Sequence, residues 1–398
     1  MSPDRVAQDA PWLLWLLNAM QWGQEALLQI LHSVGLTPDV DGQPTWPWSR
    51  RLAGENLLLD VGQARAMAWS LLALAVLVCL LVLVALWWRH SKKRWSLLVT
   101  ALLIVIATPW PQPQVIWVPA SPSSFDHNPV PFSDVAIASG AVHYQRLCMD
   151  CHGATGNGQG PIAAQQAVWP PSFTGPLLWR RTDGDLLHAV RQGVFTQSGQ
   201  QRMPGFASQM TVAQTWELLH FLRAQAAGQL LQLSGNWVMP IALPNMQLHC
   251  PGQTWQQVSD LQQQRVRLVG LADVKSVLPD PRMLTVWLPP ANQSASFIPA
   301  QIDCVVASAT EARQALFWLT GTENFTQTQL LADKAGWLRA RNDRGADSWS
   351  EADLVCRVNE VEQGAQGATQ EDSLTRLLRS MDSQPLVYVK GGSVHGLQ

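Results

Sequence analysis

At 398 residues the chain is too long for one small fold, so two or three domains are expected. A net charge of -2, from 27 basic and 29 acidic residues, argues against a nucleic-acid partner and leaves no basic field to steer an acidic one. Twenty tryptophans stand against two tyrosines, a bias that composition alone does not explain.

Trp12 to Leu31 is leucine-rich but interrupted by Asn18, Gln21, Gln24, Glu25 and Gln29, which fall near one stripe of a helix. Such a helix lies in the membrane interface, packs against a partner's membrane helix, or spans the bilayer with its polar stripe covered. Glu25 makes a lipid-facing span costly, so the amphipathic or partner-covered forms are preferred. A signal peptide is disfavoured, because no basic start precedes the stretch and no small-residue cleavage site follows. Residues 1–65 are read as an amphipathic helix and loop.

Ala66 to Trp88 runs 23 residues without a charge, about 34 Å as a helix and enough to cross a bilayer. Arg89-His-Ser-Lys-Lys-Arg94 follows, then a shorter apolar run from Trp95 to Trp110. This predicts a transmembrane helical hairpin over 66–110, with membrane lipid as a partner. By the positive-inside rule its basic turn is cytoplasmic, so both outer flanks lie across the membrane. Seven prolines between Pro109 and Pro131 predict an extended linker, residues 111–133.

Leu147 to Pro161 carries the chemistry. Cys148, Cys151 and His152 form C-x-x-C-H, the spacing for covalent attachment of haem c. Two thiols so spaced can add to the two vinyl groups on one porphyrin edge, while the adjacent imidazole sits under the iron. The competing readings are a thioredoxin-like redox pair or half of a zinc site. Zinc needs a second pair of ligands at comparable spacing, and none follows. A redox pair belongs at a helix start after a strand, whereas this one ends a helix and runs into glycines. Met203 follows 51 residues after His152, in Gln201-Arg-Met-Pro-Gly-Phe206. A lone methionine is often a core gap-filler. Here the Met-Pro-Gly turn precedes a helical stretch, Thr211 to Gln225, with Val212, Trp216, Leu219 and Leu222 on its apolar face. That company favours an axial ligand.

Residues 134–228 resemble a class I cytochrome c domain. Gly140 and Tyr144 lie on the first helix, C-x-x-C-H ends it, Gly-x-Gly-x-Gly-Pro follows, and Met203 and a last helix with Trp216 complete the pattern. The resemblance implies a small all-α fold whose first and last helices cross at Gly140. It also implies one covalently attached haem c, with the iron (the metal) held by His152 and Met203. The Pro161 carbonyl is expected to accept a hydrogen bond from the far nitrogen of His152 and fix the ring. The segment holds six arginines, five acids and no lysine. Without a lysine ring at the haem edge, transfer within a fixed complex or from a tethered position is expected. Trp179, Arg180 and Arg181 either reach the haem propionates or form a solvated helix start.

Past a linker at 229–240, residues 241–398 change to alternating apolar runs. Val266 to Leu271, Met283 to Leu288 and Ile302 to Val306 are candidate strands, and Thr310 to Leu319 a helix. Thr328 to Asn342 is a hairpin turning at Asp333–Gly336, and helices are expected at Ser350–Val361 and Ser373–Met381. The result is an α/β layered domain. Leu243-Pro-Asn-Met-Gln-Leu-His-Cys-Pro-Gly-Gln and the hairpin give it a resemblance to the thioredoxin-like fold of Sco-type copper chaperones and peroxiredoxins. No cysteine pair follows the strand near Leu271, so a redox-inactive, partner-binding domain is expected. His249 and Cys250 are either soft ligands for copper or structural residues. Among Cys250, Cys304 and Cys356, one bridge with one free thiol, or no bridge, are both open.

The order of membrane helices, cytochrome c and thioredoxin-like domain also resembles membrane proteins related to the copper-resistance D family, though only two spans are evident here. The functional expectation is a c-type cytochrome anchored in the bacterial inner membrane, with haem and C-terminal domains in the periplasm. It passes single electrons to redox partner proteins within a larger complex and turns over no substrate of its own. The alternatives are a copper-handling accessory protein and a structural subunit.

Overall fold

The computed structural model describes residues 11–58, 61–86, 91–175, 177–196, 198–271, 274, 277–291, 298–322, 325–343, 349, 353–355, 372–389 and 392–395. The chain forms two compact units, one ending at Pro122 and one starting at Ser123, with residues 40–43 counted to the second. This differs from a separate cytochrome and α/β domain, and the reason is a shared core described below.

In the first unit, α1 (Pro11–Ser33) buries Leu16, Leu17, Met20 and Leu28 on one face. Gln24 on the same face grips the backbone of one residue on both sides. Its Nε2 donates to the Leu52 carbonyl at 3.1 Å, and its Oε1 accepts from the Leu52 N–H at 2.7 Å. A buried amide satisfied in this way stabilises rather than costs. Leu52 ends β1 (Arg50–Leu52), which pairs antiparallel with β2 (Trp117–Pro119). Between these strands run α2 (Val61–Leu86), α3 (Ser91–Ala107) and the one-turn α4 (Pro113–Ile116). Among the described residues α2 is the one helix long and apolar enough to cross a membrane, and only 22% of that apolar window is buried. The apolar part of α3, Trp95–Ala107, is shorter. The linker expected at 111–133 is not extended throughout: α4 and β2 pack back onto this unit because their backbone finds partners in β1 and Ala53.

The second unit begins with the rest of that linker, whose Ser124 hydroxyl donates to Asp185 at 2.5 Å. Ser133 then caps α5 (Asp134–Leu147) through its side chain. α6 (Met149–His152), α7 (Leu177–Arg180) and α8 (Asp183–Gln192) follow. A short hairpin, β3 (Val194–Phe195) and β4 (Gln201–Met203), leads to α9 (Val212–Ser234), which opens on a Thr211/Gln214 capping box. α5 crosses α9 where Gly140 has no side chain, since a Cβ there would lie 2.3 Å from the Glu217 carbonyl oxygen.

α9 does not stop at Gly228. It continues to Ser234, so the linker expected at 229–240 starts inside a helix. At Gly228 a Cβ would lie 2.0 Å from the carbonyl oxygen of Trp318, on α10 (Ala309–Thr320). The glycine thus admits a second helix rather than ending the first. Phe221 meets Trp318 edge to face at 5.0 Å, Trp237 Nε1 donates to Leu319 O at 3.1 Å, and Ser308 donates to Asp134 at 2.6 Å. One apolar cluster runs from Ile137 and Tyr144 through Phe221 and Leu316 to Leu268 and Leu330.

Behind α10 lies a six-stranded mixed sheet. Its strands are β5 (Leu248–His249), β6 (Val266–Val269), β7 (Leu284–Trp287), β8 (Cys304–Val306), β9 (Gln329–Ala332) and β10 (Leu338–Asn342), in the order β10-β9-β6-β7-β8-β5. β6, β7 and β8 are parallel neighbours, and the remaining pairs are antiparallel. Alternation splits the faces: Leu330 and Ala332 join the shared cluster, while Leu331 faces Leu377, Leu378 and Met381 of α11 (Ser373–Ser383). The helix expected at Ser350–Val361 fails where it is described, because Leu354 bridges to Ala340 as extended chain. A terminal hairpin, β11 (Leu386–Val389) and β12 (Gly392–His395), was not expected.

Cys250 and Cys304 form a disulfide inside the shared core, joining the end of the β5 segment to β8. This overturns the reading of Cys250 as a thiolate ligand for copper beside His249. Cys356 lies outside the described residues.

Candidate haem-binding site

Local chain geometry gathers three of the expected residues on one turn. α5 ends at Cys148, which serves both as its C-cap and as the N-cap of α6. The His152 amide bonds the Cys148 carbonyl at 2.9 Å, and Gly153, with φ of +79°, then turns the chain away. Cys148 and Cys151 are both free thiols in the structure. Burial pushes the Cys148 thiol up to about 12 and also raises Cys151. Among the described residues no group of three or more His, Cys, Asp or Glu side chains is placed to hold a metal ion.

The glycine run is a cradle for this turn. A Cβ on Gly160 would sit 2.1 Å from the Asp150 carbonyl oxygen, and one on Gly158 would sit 2.3 Å from that of Pro170. The Tyr144 hydroxyl donates to the Gly153 carbonyl at 2.6 Å, and Gln225 Nε2 donates to that of Ala154 at 2.8 Å. Both closing helices therefore brace the loop from behind.

His152 is buried, and its ring is held on two sides. Phe173 stacks on it at 4.5 Å, and Nδ1 faces the Pro171 carbonyl at 3.4 Å. The carbonyl facing the ring is that of Pro171, not the expected Pro161. Gly158 lets the Pro170-Pro171 loop close against the motif, whereas the residues around Pro161 fold back on the α6 backbone through Gly160 and Ile162. Burial lowers the His152 pKa, with the Pro171 carbonyl acting against that shift. The imidazole is thus neutral at pH 7, the form that ligates a metal. With Nδ1–H donating to the carbonyl, Nε2 keeps its lone pair.

Met203 ends β4 and pairs with Val194 of β3. Gly193 has φ of +85°, and a Cβ there would lie 2.6 Å from the Met203 carbonyl oxygen. Two residues on, Gly205 packs as tightly on the Arg191 carbonyl, at 2.7 Å. These two glycines let the methionine loop fold onto the end of α8, where the Phe206 amide bonds Val190 O at 3.0 Å. Phe206 and Val190 pack on the same apolar cluster as Leu147, Cys148 and Met149.

Trp179 tests whether these residues fit a haem. It is 4% exposed, and its indole Nε1 has no hydrogen-bond partner among the described residues. A buried indole N–H without an acceptor is costly, and a propionate carboxylate is an acceptor suited to it. Arg180 and Arg181, the other candidates, are exposed. Free thiols at the attachment spacing, a fixed neutral imidazole and an orphaned indole donor all fit the group. Sequence reasoning missed Pro171 and the stacking Phe173, which follow an exposed Trp169 in a loop without periodicity.

Residues 135–222 match the family described as cytochrome C oxidase, cbb3-type, subunit III. No curated protein is similar enough to the chain to register as a match. Among solved structures, the Kuenenia stuttgartiensis reducing HAO-like protein complex Kustc0457/Kustc0458 is similar over 27% of this chain, at 23% identity and a TM-score of 0.22. The match spans about half of that chain, 51%, and at that score it carries no argument. The segment matched by the family is a class I cytochrome c domain, a fold that carries covalently bound haem c.

Proposed function

We propose that this chain is a membrane-anchored, extracytoplasmic electron carrier, working as a subunit of a larger electron-transfer complex. The observation that carries the reading is the single turn on which two free thiols are followed at once by a buried, carbonyl-fixed histidine. Haem c bound there supplies a one-electron couple. Cys148 and Cys151 would hold it covalently, and His152 and Met203 would hold its iron. Thioether ligation and burial raise the potential relative to two imidazoles. Trp179 would orient a propionate, while Phe173 and Tyr144 keep water from the histidine side.

Two observations support the side of the membrane and the anchor. A disulfide buried in the core suits an oxidising compartment. α2 is mostly unburied, as a lipid-facing span is, and unlike the core helix of a soluble domain. In this reading the sheet is a redox-inactive domain of thioredoxin type, since its two described distal cysteines are locked together inside the core.

The holoprotein tests this. Haem should stay with the polypeptide in acid acetone, and the methionine–iron charge-transfer band should vanish in Met203→Ala with the haem retained. Pigment that extracts freely, or a band that survives the substitution, overturns the assignment.

A further inference from the structure

The tryptophans separate by unit. Of nine described up to Pro122, eight are exposed (Trp12, Trp15, Trp22, Trp48, Trp69, Trp95, Trp110 and Trp117) and Trp46 is buried. Of the nine that follow, Trp169 alone is exposed. A large aromatic left on a surface is unfavourable in water unless something apolar meets it. Here the exposure is concentrated in the unit that contains α2.

α1 shows the pattern most clearly. Its inner face is filled by Leu16, Leu17, Met20, Gln24 and Leu28. The opposite face carries Trp12, Trp15, Trp22 and Ile30, with Trp15 and Trp22 each 72% exposed. Apart from His32, α1 has one ionisable side chain, Glu25, which lies at the edge of that face, one turn from Trp22, and accepts a hydrogen bond from Gln21 at 3.0 Å. The outer face is therefore aromatic, with its single acid at one edge and already hydrogen-bonded. It is not apolar enough to span, because Asn18, Gly23 and Gln29 lie on it too, and α1 does not meet the length-and-composition standard that α2 meets. Tryptophan with small amides, neither core nor water-facing, is the composition of the headgroup boundary.

Position agrees. α1 packs on β1 and on the 3-10 turn Gly54–Leu58 just before α2, and Leu17 lies against Gly54. Trp48 precedes β1, Trp110 follows α3, and Trp117 opens β2, so they sit on the segments that bracket the same end of the helix pair. We infer that α1 lies in the bilayer interface on the side where α2 begins, its Trp12/Trp15/Trp22 face in the lipid, so that the unit is held by one interfacial helix as well as by a span. The inference rests on the membrane reading above.

The test uses full-length holoprotein reconstituted alone in phosphatidylcholine/phosphatidylglycerol vesicles. A nitroxide is placed by Trp15→Cys or Trp22→Cys in a Cys79→Ser, Cys356→Ser background, and separately on native Cys79 of α2. Power saturation compares oxygen with a water-soluble nickel chelate. Oxygen should dominate at 15 and 22, at a depth shallower than at 79. Nickel dominating at 15 and 22 while oxygen dominates at 79 overturns the placement of α1 but spares the anchor. Nickel dominating at 79 overturns the anchor itself. A depth at 22 equal to that at 79 means that α1 spans, and exclusion of both reagents at 22 in native membranes means that a protein covers the face; either refutes the inference. If a labelled variant loses haem, quenching by brominated lipids decides instead: the quenched fraction should fall in Trp15→Phe/Trp22→Phe, and an unchanged fraction refutes it.

Discussion

The haem segment and the sheet that follows it use cysteines for opposite ends. Cys148 and Cys151 stand three residues apart on one helical turn and stay free, whereas Cys250 and Cys304 are 54 residues apart and are joined. In the haem reading proposed above, chemistry at the first pair depends on local spacing, because one turn would have to offer both sulfurs to one porphyrin edge. Bonding at the second depends on topology, since only the pairing of β5 with β8 brings those residues together. Sequence-local geometry serves a ligand, and long-range geometry serves the fold.

Four experiments break or sharpen that contrast. The largest effect is expected from Cys148→Ser/Cys151→Ser: covalent haem is lost entirely on a denaturing haem-stained gel, while the Cys250–Cys304 bridge still forms. Cys250→Ala/Cys304→Ala should do the reverse. It keeps covalent haem and lowers the denaturant midpoint by the equivalent of about 2–5 kcal/mol, the usual cost of losing a native disulfide.

The third concerns His220, buried on α9 with Nε2 against the Val130 carbonyl at 2.8 Å. Desolvation by burial is the main cause that brings its pKa down to about 4. A depressed histidine favours the folded state above the unfolded pKa of about 6.5, and that stability is lost as pH falls toward 4. The loss is roughly 3 kcal/mol. Urea midpoints at pH 7 and pH 4.5 should therefore differ more in wild type than in His220→Gln, and equal differences refute the assignment. The smallest effect belongs to Ser308→Ala, which removes the hydrogen bond to Asp134 across the shared core. It should cost about 1 kcal/mol and leave the haem spectrum unchanged.

Much of this architecture was legible because its signals are local. The strands β6, β7 and β8, helix α10 and the hairpin at Asp333–Gly336 fall within a few residues of where alternation and turn chemistry put them. That Cys148, Cys151 and His152 share one turn at a helix end was legible for the same reason. What escaped depends on distant chain. Pro171 rather than Pro161 faces His152 because of how the loop beyond Gly158 closes. Gly228 reads as a helix stop until the Trp318 carbonyl is seen to need its missing side chain. Gln24 looked like part of a polar membrane stripe, yet it bonds both the N–H and the carbonyl of Leu52, 28 residues away. The expected helix near Leu354 lost to strand pairing with Ala340.

The grip of α10 on α9 bears on how this cytochrome should be handled at the bench. A soluble fragment cut after residue 228, the obvious boundary for voltammetry, would lose the last turns of α9 and lay bare the wall that Trp318 covers. Its midpoint would then describe a loosened pocket. A fragment beginning at Ser123 and keeping the sheet preserves that wall, and is the one whose voltammogram speaks for the whole chain.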